Sequence, residues 1–158
     1  MEIRPPNASD RAALHALLDR IETFNPEEIA TAGGIIDRVL DAADAKHPDF
    51  QLLVAERGGE IVGYVCYGPA AMTEGTFELY WIASIPNVRG QGIGSSLVAA
   101  MEGDLRRRGA RLVKVESSAT EAYGPTRGFY ESLQYGEEGR FRDYYAVGDD
   151  LIVLKKKL

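Results

Sequence analysis

Three glycines alternate within residues 89–94, which read Arg-Gly-Gln-Gly-Ile-Gly and lead from a strand-like segment into a helical one. Glycine has no Cβ atom, so a backbone rich in glycine can approach a phosphate group closely. The first amide N–H groups of a helix have no acceptor within the helix, and the helix dipole favours an anion beside them. Arg89 adds a full positive charge at the rim. These residues therefore predict an anion-binding turn.

Three interpretations of this turn compete. In the dinucleotide-binding fingerprint G-x-G-x-x-G the first glycine follows a strand directly, whereas here residues 84–88 intervene and Ser95 takes the last glycine position. In the phosphate-binding loop of nucleoside triphosphatases a lysine follows the last glycine, and none follows Gly94. The third interpretation is a glycine-rich turn that binds no ligand. The residues alone leave open an anion site of another kind and a purely structural turn.

Hydrophobic periodicity and turn residues indicate the elements that must position this turn. A short strand at residues 2–4 precedes two or three helices within residues 8–45, where Gly33 and Gly34 are expected to break or bend the second helix. Strands at 50–55 and 61–67 form a predicted hairpin across the turn Arg57-Gly58-Gly59-Glu60. Further strands are predicted at 77–83, 111–116, 135–145 and 151–154, and further helices from Ser95 to Gly109 and over 124–133. Residues 1–158 are expected to form a single domain.

The glycine-rich turn and its surroundings resemble the Gcn5-related N-acetyltransferases, the GNAT family. The family signature [RQ]-x-x-G-x-[GA] stands here at residues 89–94. The resemblance runs back through residues 78–83 and Pro86 and forward to residues 129–133 and Tyr135, covering roughly 50–158. The six-residue pattern is moderately specific. The order of strand, proline loop, motif, helix, strand and tyrosine-bearing helix is far more specific.

This resemblance implies a fold and a cosubstrate. The fold is mixed α/β (α+β), with a central, mostly antiparallel mixed sheet of about seven strands that is splayed between strands 4 and 5 and flanked by helices. Acetyl-CoA would lie in the gap, with its pyrophosphate on the backbone amides of the turn and its pantetheine arm paired with β-strand backbone. No metal is implied. The implied cofactor-binding residues are Ile82, Ser84, Arg89, Gly90, Gln91, Gly92, Ile93, Gly94, Ser95 and Tyr123, the last standing where the family often has asparagine.

Amide formation from acetyl-CoA needs a base and an acid, because an alkyl ammonium of pKa about 10.4 must lose a proton and the leaving thiolate must gain one. The resemblance points to Glu78 as the base, acting directly or through water, and to Tyr130 as the acid. The alternatives are a strand carboxylate that is exposed or salt-bridged, and a core tyrosine whose hydroxyl is hydrogen-bonded. Gln134 replaces a usual glycine, which bears on turn geometry rather than on chemistry.

The composition excludes several classes of protein. With 18 Lys and Arg against 24 Asp and Glu, the 158-residue chain carries a formal charge of −6, which argues against a nucleic-acid partner. Hydrophobic residues make up 45%, so the chain is not disordered by composition. A single cysteine, Cys66, and two histidines leave no disulfide framework and little for a metal centre. Without a long apolar stretch or an N-terminal signal pattern, we expect a cytoplasmic protein with no membrane partner.

The function expected from these residues is acetyl transfer from acetyl-CoA to a primary amine of a small molecule by direct attack. One alternative is a protein lysine or N-terminal acetyltransferase, and another is a non-catalytic acyl-CoA-binding sensor. The acidic balance suits a cationic acceptor. Asp143 with Tyr144 or Tyr145, between the last two strands, is either part of an amine-recognition site or a plain loop. GNAT proteins are often dimers, so a homodimer is an expected assembly.

Overall fold

The computed structural model describes residues 1–42 and 47–158. The helices are α1 (Arg11–Leu18), α2 (Pro26–Asp41), α3 (Ile93–Arg107) and α4 (Gly124–Ser132). The strands are β1 (Glu2–Arg4), β2 (Gln51–Arg57), β3 (Glu60–Pro69), β4 (Thr76–Ser84), β5 (Leu112–Ser118), β6 (Gly136–Ala146) and β7 (Asp149–Lys157). Single 3-10 turns cover Ala8–Asp10, Pro86–Val88 and Glu121–Tyr123. Part of the predicted helical region, residues 43–45, lies outside the described residues.

The second helix begins as its sequence indicates but does not break where expected. Asn25 is its N-cap, and the Asn25 side chain accepts a hydrogen bond of 2.8 Å from the backbone N–H of Glu28. The expected break at Gly33 and Gly34 does not occur, because α2 continues through both. A Cβ atom on Gly33 would lie 3.0 Å from the His15 ring, so this glycine lets α1 approach α2 closely. That packing outweighs the intrinsic helix cost of glycine, about 1 kcal/mol.

Seven strands form one mixed sheet in the order β1-β2-β3-β4-β5-β7-β6. All neighbouring strands are antiparallel except β4 and β5, which are parallel. The predicted hairpin is confirmed: the β2–β3 turn places Gly58 and Gly59 at positive φ, as a two-residue hairpin turn requires. Inside β3 every residue from Ile61 to Gly68 is buried, so helices cover both faces of the sheet there.

The fourth and fifth strands pair over only part of their lengths. Their parallel register runs from Thr76 opposite Leu112 to Leu79 opposite Val115. Beyond Leu79, β4 continues to Ser84 and pairs with no described residue on that side. Tyr80 is an extra residue in the pairing with β3, which makes it a bulge. A bulge bends the strand that carries it, and β4 leaves β5 at this residue. The splay expected from the family resemblance is therefore present.

The helix after β4 lies close to the sheet because Gly63 has no side chain. A Cβ atom there would lie 2.9 Å from the Ala83 carbonyl oxygen and 3.0 Å from Ile93. Ile93 is the first residue of α3 and is buried. Close packing at this point holds the start of α3 beside the free part of β4, where the predicted anion-binding turn lies.

Candidate active site

A cleft of about 1470 Å³ opens where β4 and β5 separate. Its walls come from β4, the glycine-rich turn, the end of β5, α4, the start of α2 with the connection before it, and single residues of β6 and β7. Pockets for drug-sized ligands are usually about 300–1,000 Å³, so this cleft has room for two substrates. It brings together most of the predicted site residues: Glu78, Ile82, Ser84, Arg89, Gly90, Gly92, Ile93, Gly94, Ser95, Tyr123 and Tyr130 all line it, whereas Gln91 does not.

The glycine-rich turn presents a set of unbonded amide groups to the cleft. The backbone N–H groups of Arg89 and Gln91 are already used, donating to Pro86 and Val88 at 3.3 and 3.2 Å. In the described part of the chain, the N–H groups of Gly90 and of residues 92–95 donate to no protein acceptor. An oxyanion is the ligand that such a cluster at a helix start favours.

The three glycines are required for different reasons. Gly90 and Gly92 have φ values of 76° and 78°, a left-handed backbone that side-chain-bearing residues adopt at a cost. Gly94 has an ordinary helical φ, but a Cβ atom there would lie 3.1 Å from the Phe129 ring. The first two therefore shape the turn, and the third makes room for an aromatic wall from α4. Phe129 lines the cleft.

Gln91 and Arg89 point to different surroundings. The Gln91 side chain accepts a hydrogen bond of 2.5 Å from Arg57 and donates one of 3.2 Å to the Asn87 carbonyl. These bonds tie the turn to the β2–β3 hairpin. Arg89 is exposed at the cleft and forms no ion pair with any residue that the structure describes. Of the two side chains, only that of Arg89 is available to an anionic ligand.

Glu78 sits at the point of the splay, opposite Lys114 in the parallel register. Its carboxylate contacts the Lys114 ammonium group, which also lies 3.3 Å from the Glu116 carboxylate. The bond to Glu78 is the main reason why the pKa of Lys114 is raised. Glu78 therefore lines the cleft and is also salt-bridged within the sheet. The sequence alone did not identify Lys114 as the partner of Glu78, because the register between two strands cannot be predicted from a single sequence.

Tyr130 is buried at the cleft wall with its hydroxyl unpaired. The residue is 4% exposed, and its ring packs against those of Phe129 and Tyr135 with centroid distances of 5.3 and 5.8 Å. The Tyr130 hydroxyl is not among the fully buried unpaired atoms of the described residues, which belong to Gln51 and Tyr64, and Tyr130 lines the cleft. No described residue forms a hydrogen bond with it, whereas the Tyr135 hydroxyl donates to Glu102 at 3.0 Å. Burial raises the pKa of Tyr130 above that of free tyrosine. This side chain is held as a neutral O–H donor.

The other end of the cleft lies between the N-terminal helices and the last hairpin. Tyr123 closes one side, where its hydroxyl donates to the Thr23 carbonyl at 3.4 Å. Tyr145 lines the cleft, but Asp143 and Tyr144 do not. Asp143 lies in β6 where the pairing with β7 is irregular, and its φ is 54°. Its N–H donates to Asp150 at 2.9 Å and its carboxylate accepts from Gly148 at 2.8 Å. Of the three residues suggested for amine recognition, only Tyr145 is placed for it.

Three further observations complete the site. Within residues 1–42 and 47–158, no group of three His, Cys, Asp or Glu side chains is arranged to hold a metal ion. No helix in those ranges is both long and apolar enough to cross a membrane.

Gln134, which follows α4, has a φ of 74°, so it keeps the left-handed backbone that glycine usually provides at a helix end.

The sequence of the chain matches the model of the acetyltransferase (GNAT) family over residues 13–135. The chain belongs to the GNAT family. It is therefore an acetyltransferase by family. An IAA acetyltransferase from Azospirillum brasilense is 32% identical to this GNAT enzyme over 110 residues, which are 68% of this chain and 69% of that protein.

Solved structures share the whole fold of this GNAT enzyme. A GNAT-family protein from Desulfovibrio desulfuricans has a TM-score of 0.92 and 33% identity, with 99% of this chain and 98% of that chain covered. An aminoglycoside 6′-N-acetyltransferase complexed with coenzyme A has a TM-score of 0.81 and 19% identity, with 99% and 97% covered. At this lower identity the likeness concerns the fold alone. The family match ends at residue 135, before the strands that carry Tyr145 and Asp149.

Proposed function

We propose that this GNAT acetyltransferase transfers an acetyl group from acetyl-CoA to the primary amine of a small molecule by direct attack, with residues 1–158 acting as one domain. The observation that carries the proposal is that one cleft unites three groups of suitable chemistry. These are the unbonded amides of the glycine-rich turn, the Glu78 carboxylate and the unpaired Tyr130 hydroxyl. Each supplies a different requirement of acyl transfer.

The donor is proposed to bind along the turn and the free strand edge. The amide groups of Gly90 and of residues 92–95 would donate to the pyrophosphate, with Arg89 beside it. From Tyr80 to Ser84, β4 has no strand on its β5 side. The amides of a pantetheine arm can pair with such an edge as an added strand does, which involves Ile82 and Ser84. Tyr123 is proposed to contact the arm from the opposite wall, and Gln91 to fix the turn.

The chemical step needs no group beyond those in the cleft. The acceptor ammonium loses a proton to Glu78, directly or through water, and its nitrogen lone pair forms the new bond to the thioester carbonyl carbon. The C–S bond then breaks, and the Tyr130 hydroxyl donates its proton to the departing sulfur. The phenolate regains a proton from the nitrogen as the amide forms. The products are the N-acetyl amine, free coenzyme A and one proton.

The test is a thiol-release assay with acetyl-CoA over a panel of small amines and peptides. We predict that Glu78→Gln and Tyr130→Phe each lower kcat/KM for the best amine by about 10²–10⁴-fold, the usual contribution of a general base or acid. The acetyl-CoA KM should change far less, because neither side chain is placed on the proposed pyrophosphate site.

Two matched variants separate chemistry from stability. Glu56→Gln removes a strand carboxylate that pairs with Arg4 at 2.7 Å, and Tyr67→Phe removes a buried hydroxyl that donates to Asp104 at 2.8 Å. Neither residue lines the cleft, so both variants should keep the wild-type kcat. Wild-type rates in both site variants would refute the proposed roles. Peptides acetylated faster than every small amine would refute the substrate class.

A further inference from the structure

The ion pair between Glu78 and Lys114 joins β4 and β5 just before they separate. The two residues lie opposite each other, one position before the last pair of the parallel register, Leu79 and Val115. Residues opposite each other in neighbouring strands point to the same face of a sheet, and both of these side chains line the cleft. Leu79 points the other way, into the core, and is 3% exposed. The ion pair therefore faces the site.

The Lys114 ammonium group is held by carboxylates on both strands. It contacts Oε1 of Glu78 on β4 and lies 3.3 Å from Oε1 of Glu116 on β5. The side chains of Lys114 and Glu78 are 33% and 22% exposed, so both are partly shielded from water. The hydrogen bond to Glu78 is the main reason why the pKa of Lys114 is raised. The ammonium group is therefore fixed in position and stays charged.

The Glu78 carboxylate keeps acceptor positions that Lys114 does not use. Among the residues that the structure describes, Lys114 alone forms an ion pair with Glu78. Tyr80, two residues further along β4, has a raised pKa, mainly through burial and also through the charge of Glu78. The Tyr80 ring packs against that of Phe50 at a centroid distance of 5.2 Å, which fixes its place. Since a carboxylate has about four acceptor positions, room remains for an acceptor nitrogen or a water.

We propose that Lys114 is a positioning residue, whose ammonium group holds the Glu78 carboxylate where the strands separate and keeps it facing the acceptor nitrogen. The inference rests on the proposed function and adds one residue to it. A partly exposed ion pair contributes little to stability, so the fold alone gives little reason for this arrangement. A base, in contrast, must stand at a fixed distance from the reacting nitrogen, since a displacement of about 1 Å can slow a reaction about 10²-fold.

Steady-state kinetics with acetyl-CoA and the best amine of the panel test this role. Lys114→Met and Lys114→Gln remove the charge, and we expect each to lower kcat by about 10–100-fold through misplacement of the base. The acetyl-CoA KM should stay near that of the wild type, because Lys114 lies outside the glycine-rich turn. Lys114→Arg should recover most of the lost rate, because a guanidinium group also donates charged hydrogen bonds to a carboxylate.

A double-mutant cycle shows whether Lys114 acts through Glu78. If it does, adding Lys114→Met to Glu78→Gln should lower kcat no further, because the carboxylate that Lys114 positions is already gone. A merely structural lysine would slow the enzyme by the same factor in both backgrounds. Equal factors in the two backgrounds would therefore overturn the proposal.

The matched control is Lys155, which lies opposite Lys114 in the β5–β7 register. Its ammonium group is 3.0 Å from the Glu138 carboxylate, and the residue does not line the cleft. Lys155→Met therefore removes an ion-paired lysine from the same sheet and should keep the wild-type kcat. A loss of rate in this variant equal to that in Lys114→Met would refute a specific role of Lys114.

The same measurements separate the positioning role from the proposed function. If the wild type acetylates amines and Glu78→Gln is slow, while Lys114→Met is as fast as the wild type or faster, only the positioning role is refuted. A faster variant would show that Lys114 competes with the acceptor for the carboxylate. If the wild type acetylates no amine, the proposed function fails and the positioning role fails with it.

Discussion

At the scale of single residues, hydrogen-bond partners separate tyrosines that look alike in the sequence. Tyr67 and Tyr135 are buried and donate to Asp104 and Glu102. Tyr64 is buried without a partner but does not line the cleft. Only Tyr130 combines burial, an unpaired hydroxyl and a place on the cleft wall. That combination suits a proton donor, because burial disfavours the charged phenolate.

The raised pKa of Tyr130 predicts the alkaline side of the pH profile. A donor acts in its protonated form, so a pKa above the ordinary tyrosine value of about 10 keeps it active at higher pH. We expect kcat for the best amine not to fall between pH 7 and about 10. The measurement is kcat at saturating substrates in overlapping buffers. A decline with an apparent pKa below 10 that disappears in Tyr130→Phe would contradict this assignment.

At the scale of elements, the glycine-rich turn that is proposed to bind the pyrophosphate depends on how β4 leads into α3. Close packing at Gly63 brings α3 onto the sheet, and the positive φ of Gly90 and Gly92 turns the chain so that successive amides face the cleft. Gly109, which follows α3 at the end opposite the turn, has a φ of 76° and open space around it, as Gly90 does. The chain thus offers two glycines with the same backbone requirement, of which only one belongs to the site.

The comparison of these two glycines predicts a specific loss of cofactor affinity. Gly90→Ala and Gly109→Ala should each lower the free energy of unfolding by about 1–2 kcal/mol, the cost of a left-handed backbone with a Cβ atom. Only Gly90→Ala should raise the acetyl-CoA KM, by about tenfold, because a shifted turn misaligns its amides. Urea unfolding and steady-state kinetics measure the two effects. An equal change of KM in both variants would show that the turn has no special role.

At the scale of the whole molecule, the splay leaves the two parts of the sheet weakly joined. Four residues of β4, Thr76–Leu79, pair with four of β5, and the contact between Glu78 and Lys114 lies within that short seam. A ligand bound between the separated strands contacts both parts. Because the chain has a net charge of −6, it repels an anionic cofactor overall. Binding such a cofactor therefore requires a local positive field, which the turn provides.

Ligand linkage across this seam gives a prediction for the intact protein. Coenzyme A at about 100 times its Kd should stabilise the fold by about 2.7 kcal/mol, which corresponds to a rise in Tm of about 5–10 °C for a domain of this size. Differential scanning fluorimetry with coenzyme A, and with pantetheine as the probe that lacks the pyrophosphate, measures it. Equal shifts with both ligands would contradict a pyrophosphate site at the turn, and no shift with coenzyme A would contradict binding in the cleft.

Local patterns in the sequence were sufficient to predict most of the elements and the position of the glycine-rich turn between β4 and α3. Each of these patterns involves residues close together in the chain, so it can be recognised without knowledge of the fold. They are the hairpin glycines, the Asn25 cap, the alternation along the strands and the glycine-rich run. The family resemblance then supplied the splay and the candidate pair Glu78 and Tyr130. The break expected at Gly33 failed because that glycine serves the packing of α1, a contact distant in sequence.

Contacts between residues distant in sequence became known only from the folded structure. The partner of Glu78 follows from the β4–β5 register, which places Lys114 opposite it. The cleft combines side chains from α2, β4, β6 and β7, whose positions along the chain show no shared pattern. Local sequence therefore determined where the glycine-rich turn forms. Packing between distant segments determined which charged side chains line the cleft beside it.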